Sequence, residues 1–369
     1  MGLGGAGPRH RPPQPAHRLM AALYDAAALA GFARALLGGA GMPADKAADV
    51  AEVLVEGDCL GKTTHGLALL PHYLREIECG GMRLEGDPAV VNDLGACLTW
   101  DGRKLPGPWL MRRAVDEAVG RAARLGLGAV ALQRSHHTAC LGAYLRRATD
   151  RGFLLLIALT DPAHSSVAPF GGITPVLTSN PIAFGAPTEG DPVLVDMATA
   201  MVTNGTVAAH RQRGEPLPAP DLLDNQGHPT TDPDVIATMP PGSILPLGGL
   251  AAGHKGFALG LMVELLSGCL SGHGRASPSE GWSAAVLLLA IDPAAFGGRE
   301  DYRRQVDRLV EACHASTPRP GFDRVMLPGE AAQQRRRQRL RDGVPVAAEL
   351  MADLAARASR AGIAVPAPA

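Results

Sequence analysis

Between about residue 85 and residue 160 short apolar runs alternate with amphipathic stretches, and no other feature limits the fold so tightly. Ala89-Val90-Val91 and Cys97-Leu98-Thr99-Trp100 read as strands, Trp109 to Leu125 as a helix and Gly128 to Leu132 as a strand. A helix over Leu141 to Asp150 then leads into the apolar strand Phe153 to Thr160. Alternation of this kind specifies an α/β region. Ahead of it lie only helical signals: Tyr24 to Gly39 closed by Gly38-Gly39, a second helix from Pro43 and Asp45 towards Gly57, and a third from about Leu67 to Glu78. Behind it, after a helix over Lys255 to Leu270 and the strand Ala284 to Ile291, the pattern is helical again at Glu300 to His314, Glu330 to Arg341 and Ala347 to Ala361. The expected architecture is α/β: a helical domain built from both chain ends (residues 19–85 and 300–369) around a central mixed-sheet domain (86–299). Residues 1–18 are expected to be a disordered leader.

Composition narrows the function classes. The 369 residues are 46% apolar, enough for a large core, and the charges nearly cancel to −1, so the long-range field of a nucleic-acid binder is missing. Aromatic residues make up only 4%, too few for base-stacking platforms. The densest apolar runs, Phe153 to Leu159 and Ala284 to Ile291, fall far short of the roughly 20 residues that span a bilayer. The six cysteines follow no ligand or disulfide spacing, which fits reduced thiols in a cytoplasmic protein. There is no GxSxG and no GxxxxGK[ST], and the GxGxxG-like stretch at Gly2 to Gly7 follows no strand.

Acid-base groups meet glycines in several places. Thr63-Thr64-His65-Gly66 sits at a helix start, where a threonine caps and a histidine is left exposed. Ser135-His136-His137 follows a strand end, the usual ligand position in open α/β sheets, and adjacent histidines face different ways, so one at most serves catalysis. The polar, proline-stiffened segment from Asp161 to Pro181 and the carboxylate Asp196 after a β-branched strand are further candidates, and Gly253-His254-Lys255-Gly256 offers amides and an ammonium to an anion. Each has a structural alternative: a capped turn, a surface loop, a solvated helix. A histidine-based metal hydrolase is the weakest reading, because zinc spacing is missing.

Together these motifs resemble the malate/L-lactate dehydrogenase-type oxidoreductases, whose NAD(P)-binding domain is not a Rossmann fold. The resemblance runs over about residues 22–342. It rests on Asp58-x-x-Gly61 leading to Thr64-His65-Gly66, on His137, and on Pro169-Phe170-Gly171-Gly172, Asn180-Pro181-Ile182-Ala183 and Asp196-Met197-Ala198-Thr199. Further along come Pro229-Thr230-Thr231-Asp232-Pro233, Leu245-Pro246-Leu247-Gly248-Gly249, Lys255-Gly256-Phe257-Ala258-Leu259 and Leu327-Pro328-Gly329-Glu330.

The resemblance implies hydride transfer between NAD or NADP and the C2 carbon of a 2-oxo acid or cyclic imino acid. His65, with Thr64 beside it, then handles the proton, and His137 lines the same pocket. Thr160, Asp161, Asp196, Met197, Ala198, Lys255, Gly329 and Glu330 match cofactor-contacting positions. A small-molecule substrate and a homodimer are implied, with no metal, nucleic acid or membrane partner. Four departures from the family pattern stand out, one of them a pair of residues. Leu69 stands where an arginine usually clamps the substrate carboxylate, Leu60 replaces another arginine, and Ala139 and Thr178-Ser179 replace the usual Gly and Gly-Thr. Either the substrate is less anionic than malate or lactate, or the chain is a catalytically impaired member that persists as a nucleotide-binding or scaffold protein.

Overall fold

The computed structural model describes residues 21–277 and 281–369, so the expected leader lies outside the described residues. The chain opens with β1 (Ala22–Tyr24), α1 (Ala26–Gly39), α2 (Ala44–Leu60) and α3 (Leu70–Glu78). The Asp25 carboxylate starts α1 by accepting from the Ala28 N–H at 2.8 Å, and Gly61, in the left-handed region, stops α2. Then follow β2 (Ala89–Leu94), β3 (Cys97–Asp101), α4 (Gly107–Leu125), β4 (Leu127–Ser135), α5 (Gly142–Thr149) and β5 (Leu154–Thr160). Apart from β1, where no strand was expected, these are the helices and strands expected from the pattern, displaced by at most three residues at their ends.

The stretch from Asp161 to Gly253 holds more regular structure than its Gly- and Pro-rich composition implies. It contains β6 (Ile182–Ala186), β7 (Val193–Met197), α6 (Asn204–Arg213) and the short strands β8 (Leu222–Leu223), β9 (Pro229–Thr230) and β10 (Ser243–Ile244). Helix α6 is unreadable from periodicity because it buries a single side chain, Val207; the Thr203 hydroxyl, accepting from Thr206 N–H at 3.1 Å, starts it instead. The last elements are α7 (Gly249–Glu264), β11 (Ala284–Ile291), α8 (Arg299–His314), α9 (Glu330–Asp342), β12 (Val344–Val346) and α10 (Ala348–Arg360). Helix α7 begins six residues before the expected Lys255, since its first turn is the Gly- and Ala-rich run after Gly248. At Gly256 it touches Leu247 so closely that a Cβ would lie 2.2 Å from the Leu247 carbonyl oxygen.

Seven strands form one mixed sheet in the order β2-β3-β4-β11-β5-β6-β7. Only β3 and β4 are parallel, joined over α4. Strand β11 enters between β4 and β5, antiparallel to both, with Ala284 opposite Ser135 and Ala285 opposite Thr160. The two chain ends meet where β1 pairs antiparallel with β12, Tyr24 opposite Val344. A single apolar core runs from Leu29 and Leu54 through Val115 and Leu132 to Leu288 and Leu354. A smaller cluster, with Val167, Leu177, Val207 and Leu222, lies under the β8–β10 sheet. No described helix is long and apolar enough to cross a membrane.

Leu288 is fully buried at the centre of β11. Leu288→Ala is expected to lower unfolding free energy by about 3 kcal/mol, read from urea denaturation, because strands on both sides stop the cavity from collapsing.

Candidate active site

The far ends of β4 and β5 and the start of β11 converge on a cavity of about 440 Å³. Beyond β4 come His137, Thr138 and Ala139; beyond β5 come Asp161 and His164 to Ser166; Trp282, Ser283 and Ala284 lead into β11. The turn between α2 and α3 adds Thr64, His65 and Leu69, and the start of α6 adds Asn204 and Gly205. No lysine or arginine lines this cavity among the described residues. Its wall includes Leu69, Leu141, Leu159, Ile236 and Trp282 beside the hydroxyls of Thr178 and Ser179.

His65 is set by the chain beneath it. The buried Asp58 carboxylate accepts from the Leu67 N–H at 2.8 Å and pins the turn to α2. Gly66 passes so close to that carboxylate that a Cβ there would lie 2.2 Å from Oδ1, so any larger residue would have to displace Asp58. The His65 ring stacks on His137 with centroids 5.9 Å apart and planes at 27°, and its Nδ1 lies 3.0 Å from the Thr64 hydroxyl. Burial pushes the His65 pKa below the ordinary imidazole value; Asp196 opposes that shift and Lys62 adds to it.

The two adjacent histidines do part ways. His136 is fully buried, with Nε2 3.2 Å from Glu76, and burial drives its pKa down to about 4. His137 faces the cavity, its Nδ1 3.0 Å from the Tyr73 hydroxyl and its ring 4.8 Å from Trp282. Burial, with the rings of His65, His136 and His72 nearby, holds His137 well below the usual pKa. At the mouth, His164 Nδ1 lies 2.8 Å from an Asp161 oxygen, and that contact raises its pKa. Tyr73, His164 and Trp282 escaped sequence reasoning. Their signal was compositional: in a chain with so few aromatic residues, Tyr73 and Trp282 both pack against His136 and His137.

Of the residues proposed from sequence, Thr64, His65, His137 and Asp161 share this cavity. Thr160 lies behind it, its buried hydroxyl 2.8 Å from both Asn180 Oδ1 and Glu264 Oε2. Asp196, at the end of β7 with Met197 and Ala198 after it, accepts from the Gly142 N–H at 3.0 Å and lies 4.0 Å from the Lys62 ammonium. Lys255 is exposed on α7, away from the cavity wall. Gly329 packs its backbone on Leu194 and starts α9, and Glu330, paired with His314, lines a second cavity of about 460 Å³ with Asp191, Asp307 and Arg324. The departures from pattern divide as well. Leu69, Ala139, Thr178 and Ser179 line the histidine cavity, whereas Leu60 sits beside Gly142 at the start of α5. Among the described residues no three His, Cys, Asp or Glu side chains gather as a metal site, and the six cysteines are free.

Residues 24–355 match the family model for malate/L-lactate dehydrogenase. An L-lactate dehydrogenase from Cupriavidus necator is 36% identical over 315 residues, 83% of this chain and 89% of that protein. An L-sulfolactate dehydrogenase from Methanothermobacter thermautotrophicus is 32% identical, over 84% of this chain and 89% of that one. Among solved structures, malate dehydrogenase from Pyrococcus horikoshii superposes with a TM-score of 0.84 at 28% identity, covering 93% of this chain and 96% of that chain. The Δ1-piperideine-2-carboxylate reductase of Pseudomonas syringae pvar. tomato gives 0.80 at 27% identity, covering 91% and 99%.

The support under His65 has a pH signature. Burial raises the Asp58 pKa from 3.8 to about 7, against the opposing pull of the Leu67 N–H and Arg339. Through that window the folded chain keeps a proton that the unfolded chain has lost, so Asp58 makes folding less favourable as pH rises from about 4 to about 7. Asp58→Asn removes the linkage. Its urea midpoint is expected to rise relative to the unsubstituted protein between pH 5 and pH 8, and an unchanged difference would refute the raised pKa.

Proposed function

We propose a reaction for this chain, which belongs to the malate/L-lactate dehydrogenase family: reversible hydride transfer between NAD(P)H and the C2 carbon of a 2-oxo acid or a cyclic imino acid. The observation that carries the reading is the stacked pair His65 and His137 on the wall of a cavity that, among the described residues, has no lysine or arginine in its lining. The cavity volume suits a nicotinamide ring beside a small substrate, with apolar surface from Leu141, Leu159 and Trp282 and hydroxyl or amide groups at Thr178, Ser179 and Asn204. The cofactor, when bound, supplies or accepts the hydride. Asp161 would meet it on the cavity wall, with Thr160 buried behind; the other cofactor positions implied by the resemblance, Asp196, Met197, Ala198, Lys255, Gly329 and Glu330, lie outside this lining and would meet the parts of the cofactor that extend beyond it.

The chain's own work is to place the reacting carbon, exclude water and move one proton. His65 does the last. Its Nδ1 meets a hydroxyl that can either donate or accept, so the ring tolerates both protonation states. Its lowered pKa makes it a competent base for oxidation at neutral pH and a readily spent acid for reduction. The oxidation rate is therefore expected to be flat above neutrality and to fall with acid, with a midpoint below the ordinary imidazole value.

Leu69 decides the substrate class. Where a guanidinium would hold the substrate carboxylate by paired, charge-assisted bonds, this cavity offers apolar surface at Leu69, and each further carboxylate on a substrate would bury another charge without a guanidinium to meet it. Monoanionic, cyclic or apolar-tailed substrates fit better than malate, and the likeness to a Δ1-piperideine-2-carboxylate reductase supports including cyclic imino acids. We place the enzyme in the cytoplasm as a homodimer.

His65→Ala is expected to cut turnover by about 10² to 10⁴ while NADH binding, followed by fluorescence titration, stays within about twofold. A parallel loss of nucleotide affinity would end the proton-transfer role. A panel of pyruvate, oxaloacetate, phenylpyruvate, piperideine-2-carboxylate and neutral ketones, run with NADH and NADPH, is expected to place oxaloacetate last among the acids. No oxidation of either cofactor by any substrate would favour the nucleotide-binding scaffold instead.

A further inference from the structure

Behind Thr160 and the loop from Asp161 to Ser166 lies a buried carboxylate that the proposed chemistry leaves unused. Glu264, the last residue of α7, is 5% exposed; its Oε2 lies 2.8 Å from the Thr160 hydroxyl and accepts from the Asn180 amide at 2.9 Å. The helix then widens into a π-helical turn, Leu265–Cys269, where the Leu270 N–H reaches back five residues to the Leu265 carbonyl at 3.1 Å. Gly268 in that turn packs on Thr160, so closely that a Cβ would lie 3.1 Å from Cγ2. The segment that follows passes the end of β5 and brings Arg275 there, 3.4 Å from the Thr160 hydroxyl.

The Arg275 guanidinium is a bridge with two edges. Toward α7, Nε lies 3.0 Å from Glu264 Oε1 and Nη2 3.3 Å from Oε2. Toward the loop, Nη1 donates to the His164 carbonyl at 2.9 Å and to the Ser165 hydroxyl at 3.1 Å, and Nη2 lies 3.5 Å from the Asp161 carbonyl. The Ser165 hydroxyl gives its own proton to the Val176 carbonyl at 3.2 Å and is left to accept from Arg275. The Asp161 carboxylate bonds close by, to the Ala163 N–H at 2.9 Å and His164 Nδ1 at 2.8 Å, so it shapes the loop without tying it to another element. Arg275, more than a hundred residues further along, makes that tie. A planar fork can face a carboxylate and a pair of loop oxygens at once; a single ammonium cannot.

We infer that Arg275 is a positioning residue: its guanidinium, held by Glu264, latches the backbone of the Asp161–Ser166 loop to α7 and thereby sets the affinity for the nicotinamide nucleotide. Asp161, His164, Ser165 and Ser166 all line the cavity from this loop, so a shift of its backbone moves four lining residues together. The buried Glu264 charge needs a counter-ion, and the cation that meets it is committed to loop oxygens behind the wall instead of to the cavity. The effect on nucleotide affinity rests on the cofactor reading above, whereas the latch concerns the protein alone.

Hydrogen exchange of the ligand-free protein, followed on peptides covering residues 161–166, tests the latch directly, because the Ala163 and Ser166 N–H groups are hydrogen-bonded there. Arg275→Lys keeps a charge beside Glu264 but cannot face both partners. It is expected to hold its urea midpoint, to exchange this loop at least about tenfold faster and to bind NADH or NADPH about tenfold more weakly by fluorescence titration, with kcat at saturating cofactor within about threefold. The double variant Glu264→Gln/Arg275→Met removes both buried charges together, which guards against a folding failure, and is expected to show the same loosened loop. A structural ion pair alone would be satisfied by either variant, so unchanged loop exchange in both overturns the proposal. A loosened loop with unaltered nucleotide affinity, or a loss confined to kcat, overturns it as well. If the unsubstituted protein binds neither nucleotide, the cofactor reading fails and loop exchange still decides the latch.

Discussion

Strand β11 is the constraint from which the rest of the molecule follows. It is supplied by residues 284–291, more than a hundred positions after the two strands it separates, and it runs against both. Without it the ladder edges of β4 and β5 would face each other unpaired, and a parallel closure would need a different crossover. Because its direction is opposite to theirs, its first residues lie beside their last ones. Three remote segments, the histidine pair, the Asp161 to Ser166 loop and the Trp282 approach, are thereby brought to one end of the sheet. The site is a consequence of strand direction before it is a consequence of any side chain.

How much of this was legible in the sequence depends on which physical signal each element carries. Strand β11 was legible to the residue because a run of eight apolar residues, flanked by polar ones, is buried on both faces. Helix α6 was not, because capping rather than an apolar stripe sustains it. The start of α7 was hidden for the opposite reason: glycine and alanine there allow close packing on Leu247, and close packing reads as a loop. In the site, His65 and His137 were visible as histidines beside turn residues. Tyr73 was not, since nothing in a helical heptad distinguishes a tyrosine that fills the core from one whose hydroxyl clamps a ring 64 positions away.

The electrostatics of the cavity follow from burial more than from charge. Desolvation lowers the pKa of His65, His136 and His137 alike, and at His137 the neighbouring His65, His136 and His72 make a positive charge less favourable still. Carboxylates nearby already have partners: Glu76 with His136, Asp161 with His164, Asp196 with Lys62 and the α5 amide. The cavity therefore meets its ligand with hydroxyls, imidazole N–H groups and hydrocarbon.

Leu69 carries this argument furthest. Losing a guanidinium from an otherwise unchanged site would leave the substrate carboxylate unpaired, yet here the change does not stand alone. Ala139 occupies a left-handed position that glycine would take without strain, and the two chain neighbours Thr178 and Ser179 put hydroxyls on the wall that Leu69 has made apolar. The Asp58 clamp, the Tyr73 hydroxyl and the histidine stack stay assembled around the same cavity. That combination supports the proposal of a substrate less anionic than malate over that of an impaired chain.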